Sequence, residues 1–429
     1  MSLKQVRKTI LVLILLIATG FAGYWFGQRR LAVEFANFQP EVKIERALPS
    51  GKENVDFSLF WQVWDRLEGN YLEKEALKPA EMVYGAISGL VASLKDPYTA
   101  FLPPQANKES KEDLAGEFEG VGIQLGYKDS ALAVIAPLSG TPAESAGVKA
   151  GDLIVKIKDE QKGIDKETGG MSLPEAVSLI RGKKGTAVVL ILAREGVKEP
   201  FEVEIVRGTI IVKSVEVEFL ENEKELFLRN VKIKNEKFTI AHLKLLRFGE
   251  RTNQEWEEAV YKIQDTRYKI QDFKGVILDL RNNPGGFLNG AVWIASEFLD
   301  KGAVVQQDGG ENGVETFSVN RQGKLTDIPL VVLVNEGSAS ASEIVVGALK
   351  YHGRAKLVGE KTFGKGTIQE AQDLEGGAGL HITIARWLLP DGSSVDKEGI
   401  KPDFEVKMDE NDSTKDSQLE KAVEVLITQ

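Results

Sequence analysis

The spacing of apolar residues changes several times along the chain, and each change marks a part of it. Thr9 to Gly27 is apolar with hardly a break; about nineteen residues at ~1.5 Å each match a ~30 Å hydrocarbon core. Leu31 to Val55 has no period and contains Pro40, Pro49 and Gly51, which predicts a linker. From Asp56 the spacing turns helical. Phe57, Phe60, Trp61, Trp64 and Leu67 share one face, followed by Val83, Ile87, Leu90 and Leu94, and such an aromatic stripe predicts helix–helix core. Between Glu117 and Val206 short apolar runs alternate with glycine turns, with a helix from Leu173 and a last strand at Val188–Leu192.

Further on the runs lengthen. Thr239–Phe248, Lys274–Leu280 and Ile328–Val334 read as strands, Glu255–Ile270 and Ala291–Leu299 as helices. That order predicts an α/β core with largely parallel strands, whose ligands gather at strand C-terminal ends. A helix follows Ser338–Ser342 and ends near His352-Gly353; strands at Ala355–Val358 and Leu380–Trp387 come next. Asp409 to Asp416 predicts a mobile acidic tail, closed by an amphipathic helix bearing Leu419, Ala422, Val423 and Leu426. The expected parts are a membrane segment (1–30), a linker (31–55), a helical region (56–112), a β-rich module (113–208), the α/β core (209–406) and the tail with its helix (407–429).

Composition narrows the chemistry. The chain is 42% hydrophobic and 28% charged, as globular proteins are, and 429 residues hold two or more domains. A net charge of -10, with nothing basic concentrated beyond the first thirty residues, argues against nucleic acid as a partner. Cysteine is absent, which removes thiolate chemistry, disulfides and cysteine metal sites together. Lys4, Arg7 and Lys8 precede the apolar stretch and place the N-terminus in the cytoplasm. The stretch is long for a cleaved signal, and Ala18-Thr19-Gly20 is a poor cleavage site. An uncleaved single-pass signal anchor is therefore favoured over export after cleavage, with the remaining chain outside the cytoplasmic membrane.

One stretch concentrates candidate chemistry. After the strand ending at Val334, Asn335-Glu336-Gly337 turns into Ser338-Ala339-Ser340-Ala341-Ser342 at a helix start, where unpaired N–H groups can hold a developing oxyanion. The structural alternative is a capping box of Ser340 with Glu343, and the residues alone leave both open. The only histidines, His242, His352 and His381, sit in no base motif. A serine nucleophile here would suit a lysine base. Asp279 and Arg281 read as a structural ion pair.

Asn-x-Gly-Ser-Ala-Ser-Ala-Ser-Glu-Ile, then Val358-Gly-Glu-Lys-Thr-Phe-Gly-Lys-Gly-Thr367 and Gln369, resemble the carboxyl-terminal processing peptidases, the tail-specific proteases of family S41. The resemblance runs from about Asp56 to the C-terminus. It implies a crotonase/ClpP-like α/β core, with Ser340 as nucleophile, Lys365 as base and Gln369 in support. It also implies oxyanion donors from Ala341 and from Gly285 or Gly286, the two glycines of Asn-Pro-Gly-Gly. Asp96-Pro97-Tyr98-Thr99 also matches the family, where this helical region supports the core or oligomer contacts, so a homo-oligomer is compatible. The β-rich segment resembles a PDZ domain, which captures an extended peptide on a sheet edge. Gly120 and Gly122 would let a terminal carboxylate approach the backbone, Val121 and Ile123 would line the pocket for the last side chain, and Arg181 is a candidate contact between this domain and the core.

The chemistry so implied requires no metal or cofactor. A lysine near its ordinary pKa of about 10.4 is protonated at pH 7, so Lys365 needs burial to act as a base. Gln369, two strand periods on, faces the same side. The expected partners are proteins or peptides with accessible C-termini, and the membrane. A silent, membrane-tethered PDZ scaffold is the alternative function. A trypsin-like PDZ protease would need a His base and a Gly-Asp-Ser-Gly-Gly turn, and neither is present.

Overall fold

A computed structural model of the chain describes residues 31–36, 39–44, 56–128, 130–138, 140–221, 238–408 and 415–428. The expected membrane segment lies outside the described residues, and so does most of the acidic tail. Among the described residues no helix is long and apolar enough to cross a membrane. The chain divides into two units, Met1–Val83 and Tyr84–Gln429.

In the first unit the expected linker contains a hairpin, β1 (Leu31–Ala36) antiparallel to β2 (Gln39–Ile44). Helix α1 (Ser58–Asn70) follows, and its aromatic stripe is not core. Phe57, Trp61 and Leu67 are exposed, no residue of the helix is buried, and the rings of Phe57, Phe60, Trp61 and Trp64 pack edgewise on one another. Helical spacing reports a face, not its partner. Helix α2 (Pro79–Ala92), which begins in the first unit and runs on into the second, likewise has no buried residue, with Val83 and Leu90 exposed, as is Leu94 beyond it.

In the second unit β3 (Ala100–Leu102) and α3 (Pro104–Ala115) lead into the β-rich module. There β4 (Glu117–Gly120) is followed by β5 (Ile123–Lys128), β6 (Ala131–Pro137), the short α4 (Pro142–Ser145), β7 (Leu153–Asp159) and β8 (Ile164–Glu167). Helix α5 (Leu173–Ile180), β9 (Ala187–Ala193), β10 (Phe201–Val206) and β11 (Gly208–Ile211) complete it. The sheet runs β10-β9-β7-β6-β5, so β5 is an edge strand, and α5 packs beside it. β11 pairs with β4, which closes the module where the chain enters and leaves. Val121 packs into the module's own core and is 2% exposed, so it does not line an open pocket as its place in the motif suggested.

A buried ion pair pins the module's exit. Arg207 donates to Asp159 (2.7 Å), to the Ile180 and Ala187 carbonyls (2.7 and 3.1 Å) and to the Thr186 hydroxyl (2.9 Å). Both side chains are sealed from solvent. Arg207→Met leaves Asp159 without its cation, and a stability loss of about 3–5 kcal/mol is expected from urea unfolding. An unchanged transition would contradict this account of the pair.

The core sheet runs β12 (Val215–Glu221), β13 (Thr239–Leu245), β14 (Phe273–Asp279), β17 (Leu330–Val334), β18 (Lys356–Gly359) and β21 (Phe404–Glu405). All its pairings after β12-β13 are parallel, because α6 (Thr252–Lys269), α7 (Leu288–Ala295) and α8 (Ala341–Tyr351) lie between or after its strands. These helices cover one face. The other face receives α9 (Ser417–Thr428), whose Leu419, Ala422, Val423 and Leu426 meet Ile240, Ile277, Val331 and Val358. Asp416, expected in the mobile tail, is held by Arg281 at 2.9 Å on each oxygen. A second sheet, β16 (Val314–Ser318), β15 (Ala303–Asp308), β20 (Gly379–Leu388) and β19 (Thr367–Asp373), flanks the first, and β3 adds to β20 with His381 opposite Ala100.

Candidate active site

Two turns at adjacent strand ends face each other. β14 runs into Arg281–Gly286 and β17 into Asn335–Ser340, and the strands pair in parallel through Asp279 and Leu333. Asn283, wholly buried, joins the turns: its carbonyl accepts the Ala339 N–H (3.0 Å) and the Ser342 hydroxyl (2.9 Å), and its amide donates to Leu245 (2.7 Å). Arg281 clamps Asp279 through two nitrogens (2.9 and 2.7 Å), and His242 adds a third contact at 3.0 Å. Burial opposes the Asp279 charge, yet these hydrogen bonds outweigh it and hold the carboxyl below its usual range.

The three serines separate by environment. Ser338 donates to the Leu280 carbonyl (2.8 Å) and Ser342 to Asn283, and both are buried. Ser340 stands apart. It is half-buried at the N-cap of α8, with φ 55° and ψ −115°, a strained conformation for a residue bearing a Cβ. Glu343 takes its N–H at 2.9 Å and the serine oxygen faces the Glu343 N–H in return, the two halves of a capping box, while among the described residues the Ser340 hydroxyl proton is donated to no acceptor.

Ser340, Ala341, Gly286, Lys365, Gln369 and His381 line one cavity of about 480 Å3. Its apolar wall includes Phe287, Leu288, Ile344, Ile368 and Trp387. A larger cleft of about 660 Å3, lined by Lys213, Glu216, Lys244, Arg251 and Glu255, has no serine in its lining, so size does not mark this site.

Lys365 is fixed by its backbone: Glu343 accepts its N–H (2.9 Å) and the Trp387 indole donates to its carbonyl (2.6 Å). Its amine lies 5.0 Å from the centre of the Tyr98 ring. Burial pushes the amine below the ordinary lysine range, partly offset by the charges of Asp96 and Glu343. Gln369 donates to the hydroxyls of Thr367 (2.9 Å) and Thr383 (3.2 Å). Among the described residues the Lys365 amine hydrogen-bonds neither Ser340 nor Gln369, although the three line one cavity.

The glycines also separate. The Gly285 N–H is taken by the Asn283 side chain (2.9 Å), and a Cβ there would fall 2.9 Å from that of Ser340, so glycine is needed for the approach. Gly286 is exposed to the cavity, and among the described residues no acceptor takes its N–H or that of Ala341. Several residues here carried no signal of this role in sequence. Glu343 looked like a cap, Asn283 like part of a turn, His381 like an isolated histidine, and Asp96 and Tyr98 like the end of a helix.

Arg181 meets Glu112 of α3 at 3.3 Å and stacks over Phe118. Helix α3 is tied to the core through Asp113–Arg247 and Lys111–Asp373. With Phe118, Leu173 and Val177, Arg181 lines a cavity of about 550 Å3. Gly120 pairs with Gly208, Gly122 has φ 80° against Thr141, and Ile123 is half-buried at the start of edge strand β5.

The profile of peptidase family S41 matches residues 239–406. The chain is 36% identical over 348 residues to the carboxy-terminal processing protease CtpA of Bacillus subtilis, covering 81% of this chain and 68% of that one. A carboxy-terminal-processing protease of Bartonella bacilliformis is 36% identical over 350 residues, covering 81% and 74%. Among solved structures, the photosystem II D1 C-terminal processing protease is 31% identical, covering 82% and 89%, with a TM-score of 0.46. The chain belongs to peptidase family S41, as a serine endopeptidase of the carboxyl-terminal processing class.

Proposed function

We propose that the chain is a membrane-anchored, extracytoplasmic endopeptidase in which Ser340 attacks the scissile carbonyl, Lys365 takes its proton and Gln369 orients the amine. The observation that carries this reading is the shared cavity: the one serine of the three whose hydroxyl donates to no acceptor among the described residues lines the same space as a desolvated amine. Gly286 and Ala341 present their N–H groups to the same space, and they are the donors assigned to the oxyanion. Gly285 is left the structural part of letting the turns meet. The amine moves within reach when substrate fills the cavity, since catalytic hydrogen bonds often tighten only in the complex. The anchor rests on the apolar stretch from Thr9 to Gly27.

The PDZ domain is assigned to capture of the substrate's C-terminus. The edge of β5 beside α5 offers a strand-addition groove. Among the described residues no acceptor takes the Val121 and Gly122 N–H groups, which suit a carboxylate. Phe118, Leu173 and Val177 supply the apolar wall that Val121 does not. Arg181, through Glu112 and α3, joins this domain to the core.

A peptide ending in a free carboxylate is expected to bind and be cut, and its amidated twin to bind about tenfold or more weakly. Gly122→Val, whose side chain would run into Thr141, is expected to weaken capture similarly while Ser340 still reacts with a serine-directed acylating probe. Equal binding of the two peptides would remove the capture assignment and leave the catalytic one intact.

A further inference from the structure

The turn Asp96-Pro97-Tyr98-Thr99 lies far from the proposed nucleophile in sequence, but β3 pairs with β20 and brings it beneath the cavity. Asp96 accepts from the Thr99 hydroxyl (2.6 Å) and from the Tyr98 N–H (3.0 Å). The Thr99 hydroxyl oxygen accepts the Thr383 N–H (3.1 Å). Asp96 thus reaches Thr383 by hydrogen bonds through Thr99, and the Thr383 and Thr99 side chains keep the carboxyl below its usual range and therefore ionised. Gln369 in turn donates to Thr383 (3.2 Å).

The direction of this chain is fixed at one end. An ionised carboxylate only accepts, so Thr99 donates its single proton to Asp96 and takes the Thr383 N–H on its oxygen, while the Thr383 hydroxyl oxygen accepts from Gln369. The NH2 of Gln369 is thereby committed to Thr383 and Thr367, and its carbonyl oxygen is the acceptor left for an amine. We propose that Asp96 is a positioning residue of the reaction: through Thr383 it sets the orientation of Gln369, and its charge balances the ammonium that Lys365 becomes. The inference rests on the Ser340–Lys365 reading. In the step concerned, the Ser340 oxygen bonds the carbonyl carbon, the C=O π pair moves onto the carbonyl oxygen, and the hydroxyl proton passes to the Lys365 lone pair. A cation appears at Lys365, and the carboxylates of Asp96 and Glu343 are the anions whose charges favour it. The other titratable groups around it are Tyr98 beneath the amine, His381 on β20, Glu370 on β19 and Asp396 against Gly366.

The test is the rate at which a β-lactone probe, whose ring opens as its acyl carbon passes to the Ser340 oxygen, acylates the full chain, followed against pH. In the wild type the rate rises to a plateau as Lys365 loses its proton. Asp96→Asn removes a charge that holds that proton. Its midpoint is expected at lower pH and its plateau about tenfold lower, with the amide of Gln369 free to turn. Asp96→Glu keeps the charge and is expected to restore the midpoint. A plateau that falls with an unmoved midpoint in Asp96→Asn would mean a merely structural part and overturn the proposal, as would wild-type behaviour. Should that variant not fold, Thr383→Val, which cuts the chain but keeps the charge, is expected to lower the plateau, and Thr383→Ser to recover it. A wild-type plateau in Thr383→Val overturns the proposal. Lys365→Ala separates the two readings: its acylation at the wild-type rate would remove the Ser–Lys pair itself, whereas an inert Lys365→Ala beside a wild-type Asp96→Asn removes only the part given to Asp96.

Discussion

Ser340→Ala and Lys365→Ala each lower peptide cleavage by about 10⁴-fold or more, and the double variant is no worse than either. That non-additivity is the expected signature of two groups acting in one step, because a hydroxyl without its base and a base without its hydroxyl both leave only the oxyanion donors and substrate binding. The structure makes both substitutions clean. Ser340→Ala removes at most the hydroxyl's half of a capping box, and Glu343 still holds that turn through the backbone N–H. Lys365 is likewise anchored by main-chain contacts to Glu343 and Trp387. Loss of activity therefore reports chemistry, which unchanged unfolding curves and unchanged peptide capture would check. Effects that multiplied in the double variant, or substantial cleavage by either single one, would refute the pair.

Much of this was legible in the sequence where a local pattern reports a local cause. Buried runs such as Leu330–Val334 have few alternatives to a central parallel strand, and the small-residue turn after it leaves its strand end where a site belongs. The patterns were silent wherever the deciding partner is distant. The stripe of α1 has the spacing of a core face, but no described neighbour buries it. Val121 looks like a pocket wall by its place between two glycines, but its side chain turns into the module's core. The choice between Gly285 and Gly286 depends on one side-chain oxygen, that of Asn283, which claims the first N–H and leaves the second. Asp96 became part of the site only through the pairing of β3 with β20. Strands β15 and β16 lie in stretches where exposed and half-buried positions blur the alternation that would announce them, whereas β10 (Phe201-Glu-Val-Glu-Ile) and β12 (Val215-Glu-Val-Glu-Phe) alternate plainly.

Glu343→Gln is expected to slow acylation of Ser340 by about 100-fold while leaving peptide capture unchanged. The carboxylate is wholly buried and takes two donors on each oxygen. Oε2 receives the N–H of Ser340 and of Lys365, both at 2.9 Å, and Oε1 receives the Thr362 hydroxyl (2.6 Å) and the Gly364 N–H (2.7 Å). One side chain thus fixes the distance between the turn that carries the hydroxyl and the loop that carries the amine. A glutamine has the same shape, but its NH2 would confront two of those donors with a third. Each donor left unsatisfied costs about 1–3 kcal/mol, and the strain is relieved by parting the turn from the loop. A displacement of ~1 Å is enough for a loss on the order of 10²-fold. The apolar contacts of the core strands and of α8 are unchanged by this substitution, so the variant should fold with a lowered melting temperature. Glu343→Asp, which keeps the charge but falls short by one methylene, should lie between the two in acylation rate. If Glu343→Gln acylates as fast as the wild type, the hydroxyl and the amine are held in register by something other than this carboxylate.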